Sequence, residues 1–372
     1  MSSLCSSGLR LTVSVSRLQR FGSEHVDVPP SDQLNRSLCH TSPASSPCFS
    51  SSAMRWCSPH LPVFLPLLFF SFLTLFVGRA TVSGFSICAY NVPNFSPKKA
   101  TNLRMIHTLT RVVSRYDICV LQNVQDPSGK AIKTLLSYLN RGMDRYDESF
   151  YQSVSSKPLG NSSGDMQQYV YLYRINSVAV TGQHQYESER FFVRDPFVVK
   201  FQSNRTKIRD FILVPLHSDP GQAIEEIDKL YNVFEEVRQK WNNTNVMLLG
   251  DFHAACGYVN RNDRKNIRLY SDQGFSWLIR DRVDTTVNSK ISCAYDRIVV
   301  YGQPFLKAIK PFSAGAFNFG KEFKLTRAMV LEVSDHLPVE VTLKSSVPLL
   351  QATPLLILLS LSAIVQFFLS AL

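Results

Sequence analysis

Residues 245–253 read Asn245-Val246-Met247-Leu248-Leu249-Gly250-Asp251-Phe252-His253, an apolar run of strand length that ends in an aspartate and a histidine. Such a run fits a buried strand of a layered α/β protein, and its polar end fits the place where a sheet meets a loop. Seven more runs of the same kind lie along the chain: FSICAYNV, DICVLQNV, YVYLYR, FVVKFQ, IRDFILVPLHS, DRIVVYG and LPVEVTL. Their β-branched and aromatic content marks them as strands, several with period-2 alternation. Helix-period segments lie between them at 100–115, 130–141 and 221–241. The spacing predicts sheets with one face against a partner sheet and the other against helices. No long Gly/Pro linker and no internal repeat divides the chain between residues 84 and 344, so residues 81–344 read as one domain.

The 372 residues are 45% hydrophobic and 19% charged, which excludes wholesale disorder. Of the 40 basic and 29 acidic residues, 34 and 26 fall between 81 and 344, leaving that domain mildly basic. Such a charge suits a polyanionic partner without requiring one.

Two apolar blocks flank the domain. The first, Leu61 to Val77, ends in Gly78-Arg79-Ala80 and reads as a secretory signal that starts at Met54-Arg55. Residues 1–53 then form a Ser-, Pro- and Cys-rich leader, either disordered or not part of the translated protein. The alternative is a true extension followed by a signal-anchor. The second block, Leu355 to Leu372, has no charged residue after it and follows Ser345-Ser346 and a short spacer. It reads as a lipid-anchor signal, with a plain membrane helix as the alternative. Either reading places the domain in the secretory pathway, outside the cell, at its surface or in the endoplasmic reticulum lumen. Acceptor sequons at Asn94, Asn161, Asn204 and Asn242 agree with export. Four cysteines remain beyond residue 80. Cys88 and Cys119 lie in β-like runs and read as buried thiols, whereas Cys256 and Cys293 lie in turn-rich segments where they could pair. No zinc-type CxxC spacing is present.

The strand ends hold the chemistry. His217 follows LVPL, Asp251 and His253 close MLLGDFH, Asp335-His336 precede LPVEV, and Tyr295-Asp296 open DRIVV. Any one histidine after a strand is most simply a surface residue. Several Asp- and His-bearing ends together supply what metal-assisted phosphodiester cleavage needs. Carboxylates hold a hard divalent ion, one His–Asp pair activates water, and a second His protonates the leaving oxygen.

ICAYN, VLQ, PLG, YVYLYR, DPFVVKF, LVPLHS, NVMLLGDF, SCAYDRIVV and SDHLPVEV occur in the order found in the deoxyribonuclease I family of the endonuclease/exonuclease/phosphatase superfamily. The chain resembles that family over about residues 84–344, and its apolar tail resembles the tail-bearing branch. The resemblance implies a four-layer α/β sandwich, two packed mixed β-sheets with helices on both outer faces. It further implies a monomer that acts on DNA with Mg²⁺ (or Mn²⁺) and Ca²⁺, with the membrane reached through the tail. It makes His217 the general acid and His336, oriented by Asp296, the general base. Asn91, Asp251 and Asp335 fall at the metal and phosphate positions, and Arg194 and Tyr295 at DNA contacts. Cys256–Cys293 match the family disulfide, and Asp284 with Thr286 part of a calcium loop.

Three departures bear on activity. Asn123 stands where the family carries its main metal carboxylate, Gln167 where a Glu orients the general acid, and His253 where an Asn meets phosphate or metal. An amide oxygen can ligate Mg²⁺ but brings no charge to it. Two readings follow: a divalent-metal-dependent endonuclease of reduced activity, and a catalytically degenerate module that binds DNA or protein. A phosphoinositide or sphingolipid phosphodiesterase is a distant third.

Overall fold

The computed structural model describes residues 84–141, 150–188, 191–287, 290 and 292–346. The leader, the signal segment and all but the first two residues of the C-terminal tail lie outside these. No helix among the described residues is long and apolar enough to cross a membrane.

Two six-stranded mixed sheets make the body. The first runs β11 (Gly315–Ala316), β12 (Val339–Leu343), β1 (Phe85–Phe95), β2 (Ile118–Val124), β4 (Gln168–Arg174), β3 (Tyr151–Ser155). The second runs β5 (Ala179–Gln185), β6 (Phe197–Gln202), β7 (Asp210–Pro215), β8 (Val246–Asp251), β10 (Asp296–Tyr301), β9 (Phe275–Trp277). The β1–β2 and β7–β8 pairs are parallel, and the other pairs are antiparallel.

Side-chain alternation assigns every strand face to a layer. Phe85, Ile87 and Ala89 of β1 pack with Met247 and Leu249 of β8 in the core between the sheets. The intervening Cys88, Tyr90 and Val92 face helices α1 (Leu103–Val113), α2 (Lys130–Leu139) and α4 (Arg327–Val333). On the other side, Val246 and Leu248 face α3 (Ala223–Trp241). Both faces of each central strand are therefore buried, which is why the strands read as continuous apolar runs. The result is the expected helix–sheet–sheet–helix sandwich.

The helices start and stop for local reasons. Asn102 caps α1 by accepting from the amides of Arg104 and Met105, and Met105, Ile106, Leu109, Val112 and Val113 form its buried stripe. Asn242 ends α3 in the left-handed region at φ 43°, which asparagine tolerates better than most residues.

All eight expected strands form, as do helices within the three expected segments. The four strands that the apolar pattern does not predict, β3, β5, β9 and β11, are the four sheet edges. An edge strand is wetter, so β5 (AVTGQHQ) carries little of the apolar signal.

A disulfide joins Cys256, after β8, to Cys293, before β10. Cys88 and Cys119 are buried free thiols, paired in register across β1 and β2. Closing the loop between Cys256 and Cys293 is worth about 3–4 kcal/mol in the chain-entropy account. Replacing both by Ala is expected to lower unfolding free energy by that order in chemical denaturation. Cys88 and Cys119 should react with an alkylating reagent only on unfolding, and a Cys88–Cys119 bridge in a non-reducing peptide map would contradict the assignment.

Candidate active site

Asp251, the last residue of β8, is fully buried and has no lysine or arginine partner among the described residues. It is surrounded by imidazoles and amides instead. The Asn91 Nδ2 donates to its Oδ2 at 2.9 Å, and the His253 amide donates to its Oδ1 at 3.2 Å. His336 Nε2 and His217 Nε2 lie 3.6 and 3.9 Å from Oδ2, and His253 Nδ1 lies 3.5 Å from Oδ1.

Strand ends from both sheets make this convergence possible. Asn91 comes from β1, His217 follows β7, His253 follows β8, and His336 stands three residues before β12. Gln122 of β2 ties the sheets together: its Oε1 accepts from the Asp251 amide at 2.9 Å and its Nε2 donates to the Leu216 carbonyl. The Gln122 side chain reaches these groups because residue 250 is glycine. At φ 134°, a Cβ on Gly250 would stand 2.3 Å from both Gln122 Nε2 and the Leu216 oxygen.

His336 and Asp296 make up one side of the cluster, with Asp296 Oδ1 buried and unpartnered among the described residues. His336 Nδ1 lies 2.8 Å from Asp296 Oδ2, and Asp296 faces Asp251 directly across β10 and β8. The Ser334 hydroxyl donates to the Asn91 carbonyl at 2.7 Å and accepts from the His336 amide at 2.9 Å, locking the turn. Burial alone would strip His336 of its proton, but the carboxylates of Asp296 and Asp251 outweigh it and push its pKa up to about 10. Burial also disfavours charge on Asp251, yet the three histidines and the Asn91 amide hold its carboxyl well below the usual range.

On the other side, His217 is fixed through its backbone. The His217 amide donates to Tyr169 Oη at 2.9 Å, and its carbonyl accepts from Arg194 Nε at 3.1 Å. Its ring nitrogen Nδ1 is buried with no hydrogen-bond partner among the described residues. Gln167 Nε2 donates to Asp165 at 3.0 Å, and among the described residues its own Oε1 is buried and unpaired. Burial pulls His217 down to about 3, with Arg194 and the other imidazoles adding to it against Asp251.

Other residues singled out in the sequence stand at varying distance from this centre. Arg194 is buried, and its guanidinium is spent on the His217 and Ser218 carbonyls and on Asp165. Asn123 sits in the left-handed region at φ 60° and accepts from the Asn94 amide, with no bond to Asp251. Asp335 is exposed beside His336. Tyr295 packs its ring near those of His253 and His336. Asp284 Oδ1 accepts from the Thr286 amide and hydroxyl and from the Cys293 amide, which stiffens the loop that runs into β10.

Gln122, Ser334, Tyr169 and Glu226 are positioning groups that the sequence reading does not single out. Glu226, buried in the first turn of α3, accepts from the Val193 and Asp219 amides and so braces the chain on both sides of the Arg194–His217 contact. A glutamine inside the apolar strand ICVLQNV was the one available signal.

The donor set fits a hard divalent cation. Asp251 supplies a charged oxygen, Asn91 Oδ1 is a buried oxygen with no partner, and Asp251, Asp296 and His336 bring possible ligand atoms within 4.8 Å of one another.

The profile of the Endonuclease/Exonuclease/phosphatase family matches residues 88–336. The chain belongs to that family. It is 42% identical to Deoxyribonuclease-1 of Bos taurus over 263 residues, 69% of this chain and 91% of that protein. It is 40% identical to Deoxyribonuclease-1-like 2 of Mus musculus over 270 residues, 72% and 95% of the two chains. Against Deoxyribonuclease gamma of Homo sapiens it is 38% identical over 265 residues, 70% and 86%.

The two histidines make opposite demands on stability. The raised value of His336 means its pairing is fully present below pH 6.5 and is lost as pH rises through about 10. His217, neutral when folded, binds a proton on unfolding between pH 3 and 6.5, so stability falls as pH drops through that window. In chelator, the stability lead of the wild type over His336→Gln should shrink from pH 6.5 to 10, by up to about 1.4 kcal/mol for each unit crossed. His217→Gln should gain on the wild type as pH falls below 6.5. Denaturant titrations across pH check both, and two pH-independent differences would refute the assignment.

Proposed function

We propose that the chain is a divalent-metal-dependent endonuclease that hydrolyses DNA phosphodiester bonds with reduced activity. The observation that carries this is the intact His336–Asp296 pair set against Asp251, in a chain about 40% identical to three deoxyribonucleases along most of their length.

His336, oriented by Asp296, takes the proton of the attacking water, and His217 hands a proton to the leaving 3′ oxygen. In the substrate-free site the protonation states are the reverse, with His336 cationic and His217 neutral. Two charges correct this. A phosphodiester beside His217 would favour its imidazolium, and a cation held at Asp251 would supply positive charge that offsets the carboxylates holding the proton on His336. Both histidines thus reach their working states only in the loaded site. Asp251 and Asn91 would hold the cation, with Asp335 and Asn123 at the rim. The bound ion supplies Lewis-acid neutralisation of the phosphate. Mg²⁺ suits these oxygens, and the imidazole of His253 leaves Mn²⁺ a good substitute. Tyr295 would meet the DNA backbone or minor groove, and the Asp284–Thr286 loop would take Ca²⁺.

Export agrees with this reading. Residues 54–80 would be the cleaved signal, and 345–372 the anchor signal or membrane helix. The asparagines of all four sequons are exposed, and the disulfide suits an oxidising compartment.

The weak points are Asn123, neutral where charge holds metal, and Gln167, which leaves His217 Nδ1 unsupported. In a plasmid-nicking assay, Asn123→Glu should lower the Mg²⁺ concentration needed for half-maximal rate. Adding Gln167→Glu should raise the rate further, within the 10²–10⁴ range of general acid–base assistance, and His336→Ala should abolish nicking. Equal nicking by wild type and Asn123→Glu at low Mg²⁺ would refute the metal argument. Absence of nicking in every variant would make the chain a binding module.

A further inference from the structure

Phe312 is 99% exposed and sits in the left-handed region at φ 59°, with Lys310 two residues before it. A β-carbon makes that backbone unfavourable, and no burial of the ring within the domain offsets it. A single exposed apolar side chain is ordinary, but this one projects from a basic rim. The Lys310 amide donates to Thr342 at 2.8 Å, and the Lys344 amide donates to Ala308 at 2.7 Å. Lys344 Nζ donates to the Lys307 carbonyl at 2.6 Å, so Lys307, Lys310 and Lys344 are exposed together around the end of β12. The Lys207 amide meets the Lys344 carbonyl, and the Ser346 amide meets that of Arg205, adding two exposed cations to the rim. Arg205 shares its charge with Asp117 at 3.6 Å, and the four lysines make no ion pair among the described residues.

Strand direction sets where this rim points. His336 precedes β12 and Lys344 follows it, so the rim and the active site lie at opposite ends of that strand. The chain then leaves Ser346, and eight residues, 347–354, separate it from the uncharged apolar block that starts at Leu355. Eight extended residues reach at most about 28 Å. A tail inserted in a bilayer would therefore keep this rim close to the headgroups.

We propose that this end of the domain docks on a lipid surface bearing anionic headgroups. Phe312 enters the interface, and Lys307, Lys310, Lys344, Lys207 and Arg205 lie over the headgroups, which turns the active site toward solvent. Cations alone would suit nucleic acid equally, but a phenyl ring projecting from among them suits the boundary of headgroups and acyl chains.

The test is hydrogen exchange on the full chain from a glycosylating host, since the Asn204 sequon borders the rim. The chain is reconstituted in vesicles of phosphatidylcholine with or without phosphatidylserine. Peptides covering 303–313 should exchange on the order of tenfold more slowly when phosphatidylserine is present, while peptides covering 253–260, at the other end, stay unchanged. Phe312→Asp should lose that protection. Equal exchange of 303–313 in both vesicles would overturn the proposal. So would protection independent of lipid charge, which would mean that the chain's own tail covers the ring, or protection at 253–260. The readout involves no nuclease activity, so it stands or fails apart from the proposed reaction.

Discussion

A carboxylate buried without a lysine or arginine is expensive, and Asp251 is one. Its charge is tolerated because three imidazoles and two amide donors converge on it from strand ends of both sheets. That requirement fixes the relative placement of β1, β7, β8, β10 and β12. It also accounts for Gly250, the only residue type that leaves room for the Gln122 side chain at φ 134°. The fold and the chemistry thus share one constraint. The two sheets meet where the charge is, and the charge is held only where they meet.

The site around Asp251 is uneven. On one side, His336 is bonded through its ring to Asp296 and through its amide to Ser334, which in turn donates to the Asn91 carbonyl. On the other, His217 is held rigidly through its amide and carbonyl while its Nδ1 has no partner. Residues 123 and 167 are amides, so neither brings a charge to the site. Burial then governs His217, and carboxylates govern His336. The neighbouring His253, stacked near His217 and within reach of Ser218, adds a third imidazole beside Asp251.

Much of this was legible in the sequence. Central strands announce themselves because both of their faces are buried, and the four strands that escaped notice are edges, where one side meets water. Asp251, His217, Asp296 and His336 stood out as polar groups at the ends of apolar runs. What stayed hidden depends on side-chain direction. The resemblance placed Arg194 at a DNA contact, yet its guanidinium is folded onto backbone carbonyls. Glu226 reads as an ordinary polar residue of an amphipathic helix, but faces inward to accept two amides. Nothing in residue type or spacing tells which way Gln167 turns. The resemblance to a family pointed to Arg194 and Gln167 but not to Glu226, and only the folded structure shows what each side chain touches.

The most direct test of the account is the chemistry of the ends left on DNA. Plasmid nicked in ¹⁸O-water with Mg²⁺ should carry 3′-hydroxyl and 5′-phosphate ends, with one solvent oxygen in each new phosphate. That outcome follows if water activated at His336 attacks phosphorus while His217 serves the departing 3′ oxygen. Ends of the opposite polarity, phosphate without solvent oxygen, or nicking no greater than that of His336→Ala would contradict it.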